Sequence, residues 1–343
     1  DFGIKAGDVT RFVQLGVNSA VLNRVLGANP SLIQGQLQAN GSVYLINPNG
    51  IVVGPQGRID VGAFFASTLN VSDDEFLKGG SLLFQGDSKA GIQNLGVINA
   101  KDGDVMLIAY TVKNAGEVNA PKGVAGLAAG SEVLLTHQGD QRILVRSGVK
   151  ADGLETGVEN SGVVAAAQAE LKAAGGSIYE LAVNQSGVVR ATGVEERNGR
   201  VILTAEAGTV QVSGEVSAKN ANGSGGEILV GGDYQGKNTA VPNAATTVVT
   251  ETARLDASAA SATGNGGKVI VWADGTTQFR GGIAARGGSV GGDGGLVEVS
   301  GKRFLDFLGS VDTSAPHGRR GSVLLDPDSI VISSDPDSGN LVA

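Results

Sequence analysis

The sequence predicts an all-β protein: a right-handed parallel β-helix (β-solenoid) with small extra-helical insertions. Three observations predict it. Glycine supplies 55 of 343 residues, about 16% against an average usage near 7%. A five-residue pattern, Gly-x-(Val/Ile/Leu)-x-small, recurs along the whole chain, and several of its copies lie 20 to 28 residues apart. Apolar residues make up 41% of the chain but aromatic residues only 4%, which suits thin layers of Val, Ile, Leu and Ala rather than a core built on large rings.

The copies appear in order. Gly35-Gln36-Leu37-Gln38-Ala39 is followed 22 residues later by Gly57-Arg58-Ile59-Asp60-Val61. Gly96-Val97-Ile98-Asn99-Ala100 and Gly116-Glu117-Val118-Asn119-Ala120 are 20 apart, and the copies at Gly162 and Gly187 are 25 apart. A copy at Gly214 leads to a closing series at Ala253, Gly281 and Gly309, each 28 apart. A second pattern runs alongside: Gly225-Gly226-Glu227-Ile228, Gly266-Gly267-Lys268-Val269 and Gly294-Gly295-Leu296-Val297. Each copy reads as a short strand, apolar inward and polar outward, entered by a glycine turn. A fixed long period holding two or three such strands is the signature of a solenoid, and parallel crossovers are right-handed. A sandwich would place tight hairpins every 8–12 residues or so.

Two stretches break the period. Residues 72–90, opening Ser72-Asp73-Asp74-Glu75-Phe76, are polar and predict an excursion from the rod. An insertion is expected near 164–176, where VVAAAQAELKA favours one or two helical turns. Asn94, Asn114 and Asn160 each stand two residues before the glycine of their repeat. They are expected to align vertically and hydrogen-bond side chain to side chain.

Other classes are excluded or weakened. Eight prolines and no three-residue glycine period exclude collagen. A net charge of −8, from 26 basic and 34 acidic residues, without a basic cluster, argues against nucleic acid as a partner. There is no cysteine, hence no disulfide or thiolate metal site. No apolar run reaches the length of a membrane helix, so the chain is not expected to span a membrane.

Leu22-Asn23-Arg24-Val25-Leu26-Gly27-Ala28-Asn29-Pro30-Ser31 leads into Val43-Tyr44-Leu45-Ile46-Asn47-Pro48-Asn49-Gly50-Ile51. With Gly62-Ala63-Phe64-Phe65-Ala66-Ser67-Thr68-Leu69-Asn70-Val71 and Val323-Leu324-Leu325-Asp326-Pro327-Asp328-Ser329-Ile330, this resembles the haemagglutination-activity, or two-partner secretion, domain of filamentous-haemagglutinin-like exoproteins. The resemblance implies a secretion domain over 1–135 that lacks its first strands, continuing β-helix rungs over 136–325, and a connector over 326–343. It also implies Sec export and recognition by periplasmic modules of an outer-membrane transporter. Downstream rungs would then form a surface adhesin or biofilm-matrix rod that binds polysaccharide or a host-cell receptor. The residues implied in export are Asn23, Asn29, Pro30, Asn47, Pro48, Asn49, Gly50 and Ile51. In their own chemistry, Asn47-Pro48-Asn49-Gly50 form a β-turn, with proline presetting φ and glycine free to take a positive one. They are a solenoid corner, a transporter contact, or both. Replacing Asn47 or Asn49 by Ala is expected to reduce export and leave the solenoid folded.

Catalytic signals are weak. The histidines are His137 and His317, and nothing places either near a serine and a carboxylate as a triad requires. Gly287-Gly288-Ser289-Val290-Gly291 matches a nucleophile elbow but lacks its strand–turn–helix context. Asp73-Asp74-Glu75 and Asp326-Pro327-Asp328 are acidic clusters that a polysaccharide-degrading β-helix could use, the alternative to a non-enzymatic adhesin. Gly291-Gly292-Asp293-Gly294-Gly295 is similar to calcium-binding nonapeptides without their period. No cofactor and no metal site is expected. Trp272 and Tyr234 are the candidate rings for stacking on a sugar, Trp272 being equally suited to a core.

Overall fold

A computed structural model describes residues 1–136, 142–146, 157–174, 181–195 and 197–328. Nearly all of its elements are strands, and those of the rod pair in parallel from one rung to the next. Each rung turns through three faces. The first face carries Gln36–Ala39, the second Ser42–Ile46 and the third Ile51–Val53, and the next rung returns to the first face with Arg58–Val61. On the first face the stack runs from Val9–Phe12 to Ser310–Asp312. The chain is thus a parallel β-helix, as its repeats predict.

The apolar position of each repeat explains the fold. Leu37, Ile59, Ile98, Val118, Val164, Val189, Val216, Leu255 and Ile283 fall in one register line inside the rod. All are buried, and each removes enough apolar surface from water to contribute roughly 1.5–3 kcal/mol. Register is strongly specified because a one-residue slip would turn this whole line outward. The repeat glycines serve close packing rather than an unusual φ. A Cβ on Gly116, Gly162, Gly187 or Gly214 would overlap the carbonyl oxygen of the glycine one rung before it.

The spacing of the copies follows the excursions. Repeats 20 residues apart, Val97 over Glu117, turn directly from rung to rung. The 39-residue step from Arg58 to Val97 carries the excursion of residues 72–90. There a short helix, Asp73–Lys78, is capped by Ser72, whose hydroxyl accepts from Glu75 N–H, with Asp73, Asp74 and Glu75 in its first turn. That placement suits the positive end of a helix, so these three acids serve the helix start. The strand Leu82–Gln85 follows and pairs antiparallel with Glu132–Leu135, which pairs in turn with Ile143–Arg146. This small sheet covers the outside of the second face, packing Phe84, Val133 and Ile143 on Ile46, Phe65, Met106 and Ile108. Strands such as Val105–Ala109 are therefore buried on both sides.

The expected insertion near 164–176 is corrected. Val163–Ala173 is an eleven-residue strand of the rod, paired with Glu117–Ala129 on one side and Arg200–Ala205 on the other. Tertiary pairing overrides the helical propensity of its alanines. A period of two was present in the segment: Ala169, Leu171 and Ala173 face the core, while Gln168, Glu170 and Lys172 face out, the last two beneath the small sheet. Glu170 accepts from the backbone N–H groups of Arg142 and Ile143, and Lys172 donates to Ile143 O at 2.7 Å. Lys172 and Glu170 lie 3.0 Å apart. This buried pair fastens the small sheet to the rod. Burial pushes the Lys172 ammonium below its usual range, against the opposing pull of Glu170.

The asparagine expectation holds. Asn94 Nδ2 donates to Asn114 Oδ1 at 2.8 Å, and Asn114 Nδ2 to Asn160 Oδ1 at 2.7 Å. The ladder runs one step further than the asparagines, to Gln185 Oε1 at 2.7 Å. Gln185 also stands two residues before its glycine, so the spacing that singled out the asparagines applies to it as well. Val53 caps one end of the line and Val212 the other.

Candidate functional site

The turn Asn47–Gly50 joins the second face to the third. Gly50 N–H donates to Asn47 O at 3.1 Å, closing a four-residue turn, and Gly50 takes φ +111°. That value favours glycine over any residue with a Cβ. Asn47 is fully buried. Its amide donates to Asn29 O and to Ser31 Oγ, both at 3.0 Å, and its Oδ1 accepts from Asn49 N–H at 3.0 Å. Asn49 donates to Gly27 O at 2.8 Å. Ser88 Oγ donates to Pro48 O at 2.6 Å from the following rung. Three successive corners, 27–31, 47–50 and 88–91, are therefore tied into one block.

The block divides the residues expected to act in export into two kinds. Asn47, Gly50 and Ile51 are buried, whereas Asn29, Pro30, Pro48 and Asn49 lie on the surface. Leu26 beside them is 90% exposed. Asn23 stands in register with the core residue Leu45, on the inner side of the second face, and donates to Tyr44 O at 3.2 Å. Tyr44 stacks on Phe65 with ring centres 4.1 Å apart and meets Phe76 of the short helix edge-on. Burial, with the Asp104 carboxylate nearby, pushes its phenol up to about 12. One expectation changes here: Asn47 is a structural tie, so its loss weakens the solenoid, whereas Asn49 presents its side chain at the surface.

Sequence reading missed Ser31, Ser88 and Gly27 as partners of this corner. Ser31 follows the quoted Asn29-Pro30 pair, but Ser88 comes from the excursion and carries no local signal.

The other candidates sort as follows. Of the two placements open to Trp272, the structure has the core and not a sugar-stacking ring: it is 5% exposed and packs with Ile202, Leu229, Val241 and Ile270. Its ring lies under the turn Tyr234–Gly236, and its Nε1 donates to Asp274 Oδ1 at 3.1 Å. Tyr234, on that turn, is 40% exposed. The two rings therefore do not form one platform. Ser289 lies in an irregular loop with no helix after it. His317 is exposed, and His137 lies outside the described residues, as does Ser329 onward in the expected connector. Among the described residues no three acidic or imidazole side chains gather as a metal site, and no helix is long and apolar enough to cross a membrane.

A parallel β-helix with a braced Asn-Pro-Asn-Gly corner near its N-terminal end defines an exoprotein secretion domain. The chain belongs to the TPS secretion domain family, whose model matches residues 1–218, and is thereby assigned to export by a two-partner system. A heme/hemopexin-binding protein of Haemophilus influenzae is 32% identical over 219 residues, 60% of this chain and 23% of that protein. A second Haemophilus influenzae protein of the same name is 42% identical over 67 residues, 20% of this chain and 7% of its own length. The chain thus spans less than a quarter of either relative. The crystal structure of the HMW1 secretion domain from Haemophilus influenzae superposes with a TM-score of 0.73 at 28% identity, covering 95% of this chain and 91% of that one.

Proposed function

We propose that the corner formed by Asn29, Pro30, Pro48 and Asn49 is the surface that periplasmic modules of the outer-membrane transporter recognise. The rod that follows is then presented at the cell surface as an adhesin or matrix protein. One observation carries the reading. Asn47 and Gly50 spend their hydrogen bonds inside the block and hold Pro48 and Asn49 outward on a rigid turn. A preformed surface element costs little conformational entropy when a partner docks on it.

The test is export of the full-length protein carrying Pro48→Ala together with Asn49→Ala. Its amount outside the cell should fall about tenfold, the effect of losing about 1.4 kcal/mol of recognition, while the purified domain keeps its melting temperature within a few degrees. Unchanged export would remove this corner from the recognition surface.

A further inference from the structure

The paired glycines of the second repeat pattern form the floor of a groove. Gly199, Gly226, Gly267, Gly295 and Gly321 each precede a residue of one register line, Arg200, Glu227, Lys268, Leu296 and Ser322. They therefore stack along the rod axis at intervals of about 4.8 Å. A Cβ on Gly226, Gly267, Gly295 or Gly321 would overlap the carbonyl oxygen of the glycine one rung earlier. The floor is thus bare backbone over five rungs. The groove above it has a volume of about 980 Å³ and is lined by glycines and polar side chains, with Leu296 the one apolar side chain.

Its charge runs against that of the protein. Arg197, Arg200, Lys268, Arg319 and Arg320 face it with only two carboxylates, Glu227 and Asp293, in a chain of net charge −8. The two carboxylates hold cations in place. Glu227 pairs with Arg200 and with Lys268, the latter at 2.9 Å, and Asp293 pairs with Arg319 at 2.6 Å. Arg320 is exposed, and no hydrogen bond or ion pair among the described residues engages it. Asn198, Asn220 and Asn265 add amides to the walls.

We propose that this axial groove binds a linear acidic polysaccharide, with its anionic groups on the basic walls and its hydroxyls on the asparagines. A straight floor without side chains accepts an extended polymer, and cations spaced along it match repeated charge. The lining holds no aromatic ring, which single-stranded nucleic acid uses for base stacking, so a glycan fits the groove better than a nucleic acid. The proposal rests on surface presentation only for where the polymer is met; the experiment uses purified protein and is independent of export.

The experiment measures binding of fluorescent polygalacturonate and heparin decasaccharides, neutral maltodecaose and oligo(dT) to the 343-residue chain. At least one acidic glycan should bind more tightly than the neutral glycan and the oligonucleotide, and which one separates uronate from sulfate as the preferred group. Arg320→Glu should weaken that binding about tenfold or more, the scale of one lost ionic contact. Ser322→Trp, which places a large ring among the lining residues, should weaken it as well. Lys5→Glu, the same charge change at the far end of the rod, should leave it within twofold. Failure of both acidic glycans to bind, tighter binding of oligo(dT), or equal weakening by Lys5→Glu would overturn the proposal.

Discussion

Asn114 donates its side-chain N–H to Asn160 Oδ1 at 2.7 Å across 46 residues of sequence, at the centre of a four-member amide ladder. The first two amides of the ladder also donate to backbone. Asn94 reaches Glu117 O at 3.1 Å and Asn114 reaches Val163 O at 3.3 Å. The ladder is fully inside the rod, where an unpaired amide costs more than a made bond returns.

Asn114→Ala should therefore cost about 1–3 kcal/mol, because it leaves a donor on Asn94 and an acceptor on Asn160 without their partner. Urea unfolding of the single and double variants at Asn94 and Asn114 measures the coupling. A coupling energy indistinguishable from zero would show that each amide acts alone.

Asn47→Ala and Asn49→Ala should separate by stability. Asn47 loses three hydrogen bonds in a buried site, an effect of about 3 kcal/mol. Asn49 is exposed, and its loss should cost about 1 kcal/mol or less. Equal midpoints in denaturant for the two variants would contradict the division of this corner into a structural and a surface half.

Glu298 provides a pH-dependent prediction. It is fully buried; one carboxylate oxygen accepts from Gln235 N–H at 3.0 Å, and the other has no partner among the described residues. Burial, with the Asp326 and Asp233 carboxylates nearby, raises its pKa above the usual range. A carboxyl whose pKa is raised on folding binds its proton more tightly in the native state. Stability is then lost as pH rises from the unfolded pKa through the folded one. Glu298→Gln should melt higher than the parent protein at about pH 8, with the difference shrinking as the parent carboxyl protonates toward about pH 4. A melting difference that stays constant over that range would place the cost of Glu298 elsewhere than in its charge.

Where sequence reading failed, the failures share a cause. Val163–Ala173 looked helical because propensity is local, but its state was settled by two neighbouring strands that lie far away in sequence. Trp272 stayed open between a sugar-stacking ring and the core because no local pattern announced that residues 233–243 fold back over it. The excursion at 72–90 was visible from its polarity, whereas its antiparallel partner Glu132–Leu135, and the strand Ile143–Arg146 beyond that one, were not. The Asn-Pro-Asn-Gly corner was legible residue by residue in Asn47–Gly50, yet which of those side chains faces outward was not.

The sequence by itself determined the rung. An apolar residue two places after each repeat glycine has one energetically acceptable direction, inward, and repetition propagates that choice along the rod. It determined the amide ladder too, because buried amides at equivalent corners satisfy one another best by stacking. Only the tertiary structure decided what covers the second face, which asparagine of the Asn-Pro-Asn-Gly corner is spent on packing, and that the doubled glycines line one continuous groove. Those outcomes depend on segments from separate rungs meeting in space, and no spacing within a single repeat records which side chains a distant segment will bury.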